Sequence, residues 1–141
     1  MGVYAENNLQ RSPKSLGGLV GCEWAVDAFD CDPACLRNLA TLRGLCDELI
    51  ETLGLNVVQP PAWHQFPGHA GVTGLYLLSE SHLACHTYPE FALATFNLYC
   101  CRKLAPWPWS EVLARQLAAG RVEVVELARG NAQGDTGGLL R

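Results

Sequence analysis

The chain has 141 residues, 49% of them hydrophobic, and sets 10 Lys and Arg against 14 Asp and Glu for a net charge of −4. That suffices for one ordinary domain with its own core, and the scattered cations offer no stripe for a phosphate backbone, which argues against nucleic acid as a partner. No apolar run nears the roughly 18 residues of a membrane span, and the stretch from Met1 to Asn8 lacks the charged and apolar regions of a signal peptide, so a cytoplasmic protein away from membranes is expected.

Residues 1–13 are polar, with Asn7-Asn8 and Ser12-Pro13, and residues 130–138 are rich in Gly, Asn, Gln and Asp. Both ends are expected to be flexible, leaving one domain over 14–129 and a tail over 130–141. Leu19 to Phe29 reads as a strand between Gly17-Gly18 and the Asp30 to Asp32 cluster. Asp32-Pro33 has the form of a helix cap and first turn, and Leu36, Leu39, Leu42, Leu45, Leu49 and Leu53 recur at helical spacing up to Gly54. Residues 55–64 and 72–80 read as strands around Pro67-Gly68-His69-Ala70-Gly71, and 82–87 and 91–101 as two more hinged at Pro89. Ser110 is placed to cap a second helix ending near Gly120, before a last strand at 121–128. Strands that follow one another without crossover helices pair antiparallel. The fold expected is therefore α+β, a two-layer sandwich with two main helices on one face of a largely antiparallel sheet.

The seven cysteines are odd in number and contain no Cys-x2-Cys pair, which favours reduced thiols over a disulfide framework. Cys31 and Cys35 have the spacing of half a zinc site but no second ligand pair, so no metal is expected; Cys22 and Cys46 sit in apolar patterns and read as core. Along 91–101 the alternation places Ala92, Ala94, Phe96, Leu98 and Cys100 on one face and Thr95, Asn97, Tyr99 and Cys101 on the other.

The most informative stretch is Glu80-Ser81-His82-Leu83-Ala84-Cys85-His86-Thr87-Tyr88-Pro89-Glu90, followed downstream by Cys100-Cys101. It resembles the self-cleavage and active-site motif of prokaryotic S-adenosylmethionine decarboxylases, a pyruvoyl-dependent family, and the likeness extends from Lys14 to Glu126. Five positions depart from the family pattern: Asn97 stands where an aspartate is usual, Cys100 for a threonine, Arg102 for a glycine, Tyr88 more often for a tryptophan and Thr73, conservatively, for a serine.

The resemblance implies cleavage between Glu80 and Ser81, with Ser81 becoming the pyruvoyl cofactor that forms a Schiff base with the substrate amine and draws electrons from the departing carboxylate. It implies His86 as the processing histidine, Thr73 as support for processing and Cys101 as the proton donor. It also implies Glu90 and Phe66 as contacts to the substrate, S-adenosylmethionine, with the decarboxylated product feeding spermidine synthesis and the cleaved chains pairing as a homodimer. Trp63, His64, His69 and His82 are open between roles near the substrate and ordinary packing or surface positions. Ser81 and His86, five residues apart, would face opposite sides of a regular strand, so either a bend intervenes or cleavage frees the new end to move. Two other functions stay open: a pyruvoyl decarboxylase acting on free arginine or ornithine, and an uncleaved, non-enzymatic binding or regulatory subunit.

Overall fold

A computed structural model describes residues 19–131 of the chain. The element order is β1 (Leu19–Phe29), α1 (Pro33–Leu36), α2 (Leu39–Thr52), β2 (Ala62–Gln65), β3 (Val72–Leu78), β4 (Ser81–Tyr88), a 3-10 turn (Pro89–Phe91), β5 (Leu93–Cys100), α3 (Trp109–Leu117) and β6 (Arg121–Asn131). The six strands form one sheet in the order β2-β3-β4-β5-β1-β6, with antiparallel pairing throughout. The expected α+β class and the helices on one face are both found.

Strand alternation decides which face is covered. Val26 and Ala28 of β1, Val72, Tyr76 and Leu78 of β3, Leu83 and Cys85 of β4, and Ala94, Phe96, Leu98 and Cys100 of β5 are buried in one core with Leu42, Leu45, Cys46 and Leu49 of α2 and Leu113 and Leu117 of α3. Burying aliphatic side chains of this size contributes roughly 1.5–3 kcal/mol each, so the helix layer is the main source of stability. Among the described residues the Trp63 indole N–H is the one buried side-chain polar atom without a hydrogen-bond partner, while Tyr76 and Thr87 are bonded. The Tyr76 hydroxyl donates to Asp47 Oδ1 at 2.9 Å. Thr87 Oγ1 donates to the Leu36 carbonyl at 2.8 Å and accepts from the Val72 N–H at 2.8 Å, which ties β4 to α1 and β3.

Several boundaries differ from those expected. The leucine-spaced helix is interrupted after Leu36, because Asn38 takes extended dihedrals and its side chain accepts the Thr41 N–H at 3.1 Å, starting a second helix. Of residues 55–64 only Ala62 onward joins the sheet as a strand, since Pro60 and Pro61 have no N–H to offer a ladder; upstream, Val57 makes a single bridge to Leu78. Ser110 does not cap α3. Pro108 occupies that position without a side-chain bond and Ser110 lies inside the helix, as Trp107 and Trp109 are both drawn into the core. The turn at Pro89–Phe91 places Ala92 at φ 50°, so β5 begins at Leu93 and ends before Cys101. Finally, β6 continues through Gly130 to Asn131, paired at its end with Leu19. Gly130 and Asn131, expected to open a flexible tail over 130–141, thus belong to the sheet, while residues 132–141 and the expected flexible segment 1–13 lie outside the described residues.

Because the Asn38 amide sets the start of α2, Asn38→Ala is expected to lower stability by about 1 kcal/mol, read as a lower urea midpoint with an unchanged slope.

Candidate active site

Ser79 and Glu80 form the two-residue turn from β3 to β4, closed by the Leu78–Ser81 pair. Ser81 has φ 154°, a conformation that residues with a Cβ rarely adopt and that is held only where the surroundings over-determine it. The surroundings here are firm. The Glu80 carbonyl accepts the Cys101 N–H at 2.9 Å. The Glu80 side chain is fully buried, and its carboxylate accepts the Asn56 N–H and the Asn56 side-chain amide, each at 3.1 Å. Arg102 Nη2 lies 3.9 Å from the same carboxylate.

Cys101 follows the end of β5 directly and is buried outside the main core cluster, whereas Cys100 is fully buried within it. The strand faces expected for Ala94, Phe96, Leu98 and Cys100 are those observed. Cys101 lies past the regular alternation. Burial pushes the Cys100 thiol up to about 11, so it remains protonated at neutral pH.

The other end of β4 borders a cavity of about 540 Å³ whose lining includes Phe66, His69, Thr73, His86 and Glu90. Thr73 and His86 face each other across the β3–β4 ladder, with Thr73 Oγ1 2.9 Å from His86 Nδ1. His69 Nε2 is 4.0 Å from Glu90 Oε2, and the loop that carries His69 is held by Arg37 Nε donating to the His69 carbonyl. The Phe66 ring meets His64 edge-on at 4.5 Å and is half exposed, leaving an apolar surface on the cavity wall. Trp63 is not part of this wall. It packs edge-on against Tyr76 at 5.8 Å, over Gly74, where a Cβ would come within 2.4 Å of the Trp63 ring.

These two groups are on one strand but not together. β4 is paired without a break to β3 from Ser81 to His86 and to β5 from Ser81 to Tyr88, so of the two alternatives left open the bend between Ser81 and His86 is absent. Five residues of regular strand separate their backbones by about 17 Å, and parity puts them on opposite faces. His82, on the His86 side, belongs to a polar chain across the uncovered face. His82 Nε2 is 3.0 Å from Asn97 Oδ1, Asn97 Nδ2 donates to Glu23 Oε2 at 2.6 Å, and Arg129 pairs with the other Glu23 oxygen. The Asn97 amide bond, more than Arg129, holds the Glu23 carboxyl below its usual range.

A family profile described as S-adenosylmethionine decarboxylase matches residues 22–130. The chain belongs to that family. It is 35% identical over 118 residues to the S-adenosylmethionine decarboxylase proenzyme of Thermotoga petrophila, covering 83% of this chain and 86% of the relative. With the proenzyme of the same name from Acetivibrio thermocellus it shares 32% identity over 109 residues, covering 74% and 84% respectively. The fold is also that of the adenosylmethionine decarboxylase crystal structure from Aquifex aeolicus, with a TM-score of 0.68 over 84% of this chain and 97% of that one, at 24% identity.

Among the expected site residues, the structure brings Thr73, His86, Glu90 and Phe66 to one cavity, and Glu80, Ser81 and Cys101 to one turn. Sequence reading assigned no role to Asn56, which lies 24 residues before Glu80 in a run that reads as an ordinary strand. Nor did it assign one to Thr87, although that residue stands inside the motif. Among the described residues no group of three or more His, Cys, Asp or Glu is placed to hold a metal ion.

The Ser81 backbone provides a direct test of strain. At an ordinary φ, glycine would make the chain less stable than alanine by about 0.4–1 kcal/mol; at φ 154° the order reverses. Ser81→Gly is expected to melt above Ser81→Ala, compared by calorimetry on the two purified variants.

Proposed function

We propose that the chain is a self-processing S-adenosylmethionine decarboxylase of the cytoplasm, cut between Glu80 and Ser81, whose product supplies the aminopropyl group for spermidine synthesis. The observation that carries this reading is the Cys101 N–H bonded to the Glu80 carbonyl at 2.9 Å, beside a strained Ser81, in a chain of this family. A backbone donor aimed at a carbonyl oxygen polarises it and stabilises the charge that attack would place there.

In this reading the Ser81 hydroxyl adds to the Glu80 carbonyl carbon, the C–N bond breaks, and the nitrogen takes the proton, converting amide to ester. Loss of the Ser81 α-proton then expels the main-chain α-carboxylate of Glu80, which retains the former hydroxyl oxygen. Water replaces the remaining nitrogen, which leaves as ammonia. The site suits a group made this way. The new end at residue 81 stays paired to β3 and β5, so it remains seated after the cut. Once formed, the pyruvoyl carbonyl is the electron sink for loss of CO2.

The remaining roles fall to side chains at the two sites. Cys101 supplies the proton to the product carbon. Phe66 offers a ring for the adenine and Glu90 an acceptor for the ribose hydroxyls, with the loop at 67–71 closing the cavity around them.

The face on which the Thr73–His86 pair lies bears on the oligomer. The sheet face opposite the helices carries the exposed side chains of Leu75, Leu77, Val125 and Leu127, an apolar surface of the kind that marks an interface. In the homodimer we propose, a second copy covers this face, its sheet running opposite to the first. His86 and Thr73 lie on the face so covered, and the second copy would shut water away from that pair. Leu75→Arg with Val125→Arg is expected to yield a monomer by light scattering and to lose most self-cleavage. A dimer that persists and cleaves normally would place the contact elsewhere.

Function is tested by mass and turnover. Wild-type protein is expected as two fragments, with residues 81–141 lacking a free N-terminal amine, while Ser81→Ala stays at 15.3 kDa. The cleaved enzyme should release labelled CO2 from carboxyl-labelled S-adenosylmethionine well above arginine or ornithine. Release from a free amino acid alone would assign that substrate class, and a wild-type chain that never cleaves would leave a binding or regulatory subunit.

The two adjacent cysteines separate cleanly. Cys101→Ala is expected to cleave at least in part yet lose about 10²–10⁴ in decarboxylation, whereas Cys100→Ala retains both steps, as monitored by gel and CO2 assay.

A further inference from the structure

Glu80 is tied down in a way that the cleavage chemistry alone does not require. β3 ends at Leu78, so Ser79 and Glu80 are the two residues between the last rung of β3 and the first of β4. Both are bonded to a single residue of another loop. The Asn56 carbonyl accepts the Ser79 N–H at 2.9 Å, while the Asn56 N–H and side-chain amide each donate to a different oxygen of the Glu80 carboxylate at 3.1 Å.

Asn56 thus engages both turn residues through three hydrogen bonds. Arg102 adds a cation 3.9 Å from Glu80 Oε2, and its own Nη2 donates to the Gly54 carbonyl at 3.3 Å, so it bridges the loop before Asn56 to the chain after Cys101. A carboxylate with no exposed surface is strongly unfavourable unless charge and hydrogen-bond partners offset its lost hydration. Here they come from two directions, and Cys101 holds the Glu80 carbonyl from a third.

We propose that Asn56 and Arg102 form a clamp that positions Glu80 for self-cleavage. This rests on the self-processing reading above and adds two positioning residues to it, neither of which touches the atoms that react. The clamp fixes the side chain of Glu80, Cys101 fixes its carbonyl, and the β4 ladder fixes the strand from Ser81 onward. The φ of 154° at Ser81 is the conformation left to a chain held on both sides of the bond to be cut.

The experiment measures first-order self-cleavage of freshly refolded precursor by gel, for wild type, Arg102→Met, Arg102→Lys, Asn56→Asp and the exchanged pair Asn56→Asp with Glu80→Gln. Misplacement on the order of 1 Å at a reacting centre costs up to about a hundredfold in rate. Arg102→Met and Asn56→Asp are therefore expected to slow cleavage about tenfold or more, with Arg102→Lys within about threefold of wild type. The exchanged pair should recover much of the loss, because it reverses the donor and acceptor of the side-chain bond while keeping the backbone N–H at position 56 in use.

Each substitution is also made in a Ser81→Ala background, where melting reports on folding apart from cleavage. Slow cleavage with melting within a few degrees of Ser81→Ala supports the clamp. The clamp is overturned by Arg102→Met and Asn56→Asp cleaving within twofold of wild type, or by losses that simply track melting without recovery in the exchanged pair. Should wild type itself stay intact, the self-processing reading fails first, and the two failures are told apart by that control lane.

Discussion

Everything at the site depends on β4 being hydrogen-bonded along both edges. Between Ser81 and Tyr88 it is laddered to β5 throughout and to β3 as far as His86, while its helix-facing side chains Leu83 and Cys85 lie in the core. A strand anchored in this way has little freedom to bend, which fixes the spacing between its two ends. The same anchoring means that a cut at its first residue would not release it. The peptide bond before Ser81 adds only its own polar groups to the pairing, the Glu80 carbonyl on Cys101 among them, so breaking it leaves the rungs from His82 onward in place.

The two faces of the sheet are stabilised by different means. The helix-facing side is apolar, and the hydroxyls of Tyr76 and Thr87 are bonded within it. The opposite face carries half-exposed aliphatic side chains beside a continuous polar chain from His82 through Asn97 to Glu23 and Arg129. Tyr99 stacks on His82 at 5.7 Å, over Gly21, where a Cβ would come within 2.9 Å of the tyrosine hydroxyl. A face that was simply solvated would gain little from so ordered a set of contacts, as exposed ion pairs contribute at most about 1 kcal/mol. Such order gains weight when water is excluded.

The sequence was readable where local chemistry and packing agreed. The end of β1 comes at the aspartates that follow Phe29, and the alternation along β5 placed Cys100 in the core. It was misleading where a pattern ran on past a local signal. The leucine spacing crosses Asn38 as though nothing happened, yet the asparagine amide competes for a backbone N–H and restarts the helix. Residues 55–61 are apolar enough to suggest a strand, but two prolines deny them a ladder. The clamp on Glu80 was invisible because its parts come from three places in the chain, and nothing local to Asn56 announces a partner 24 residues away. The motif residues named the chemistry, whereas only the register of β4 shows that they stand at opposite ends of one strand.

That register also gives the strain at Ser81 its meaning. A non-glycine residue in a sparsely populated backbone region costs of order 1–3 kcal/mol, and a free hairpin turn would relax to avoid it. This turn has no such freedom, since the Glu80 side chain, the Glu80 carbonyl and the β4 ladder are each secured by separate bonds. The strained torsion is the one about the bond from nitrogen to the α-carbon of Ser81, immediately beside the amide that an acyl shift would break. Strain stored there lowers a barrier only if it is released as that amide opens, and once nitrogen and the Glu80 carbonyl carbon part, nothing any longer forces the torsion. Fixing both sides of the bond firmly is therefore what would turn a conformational cost of the folded chain into a gain in the cleavage step.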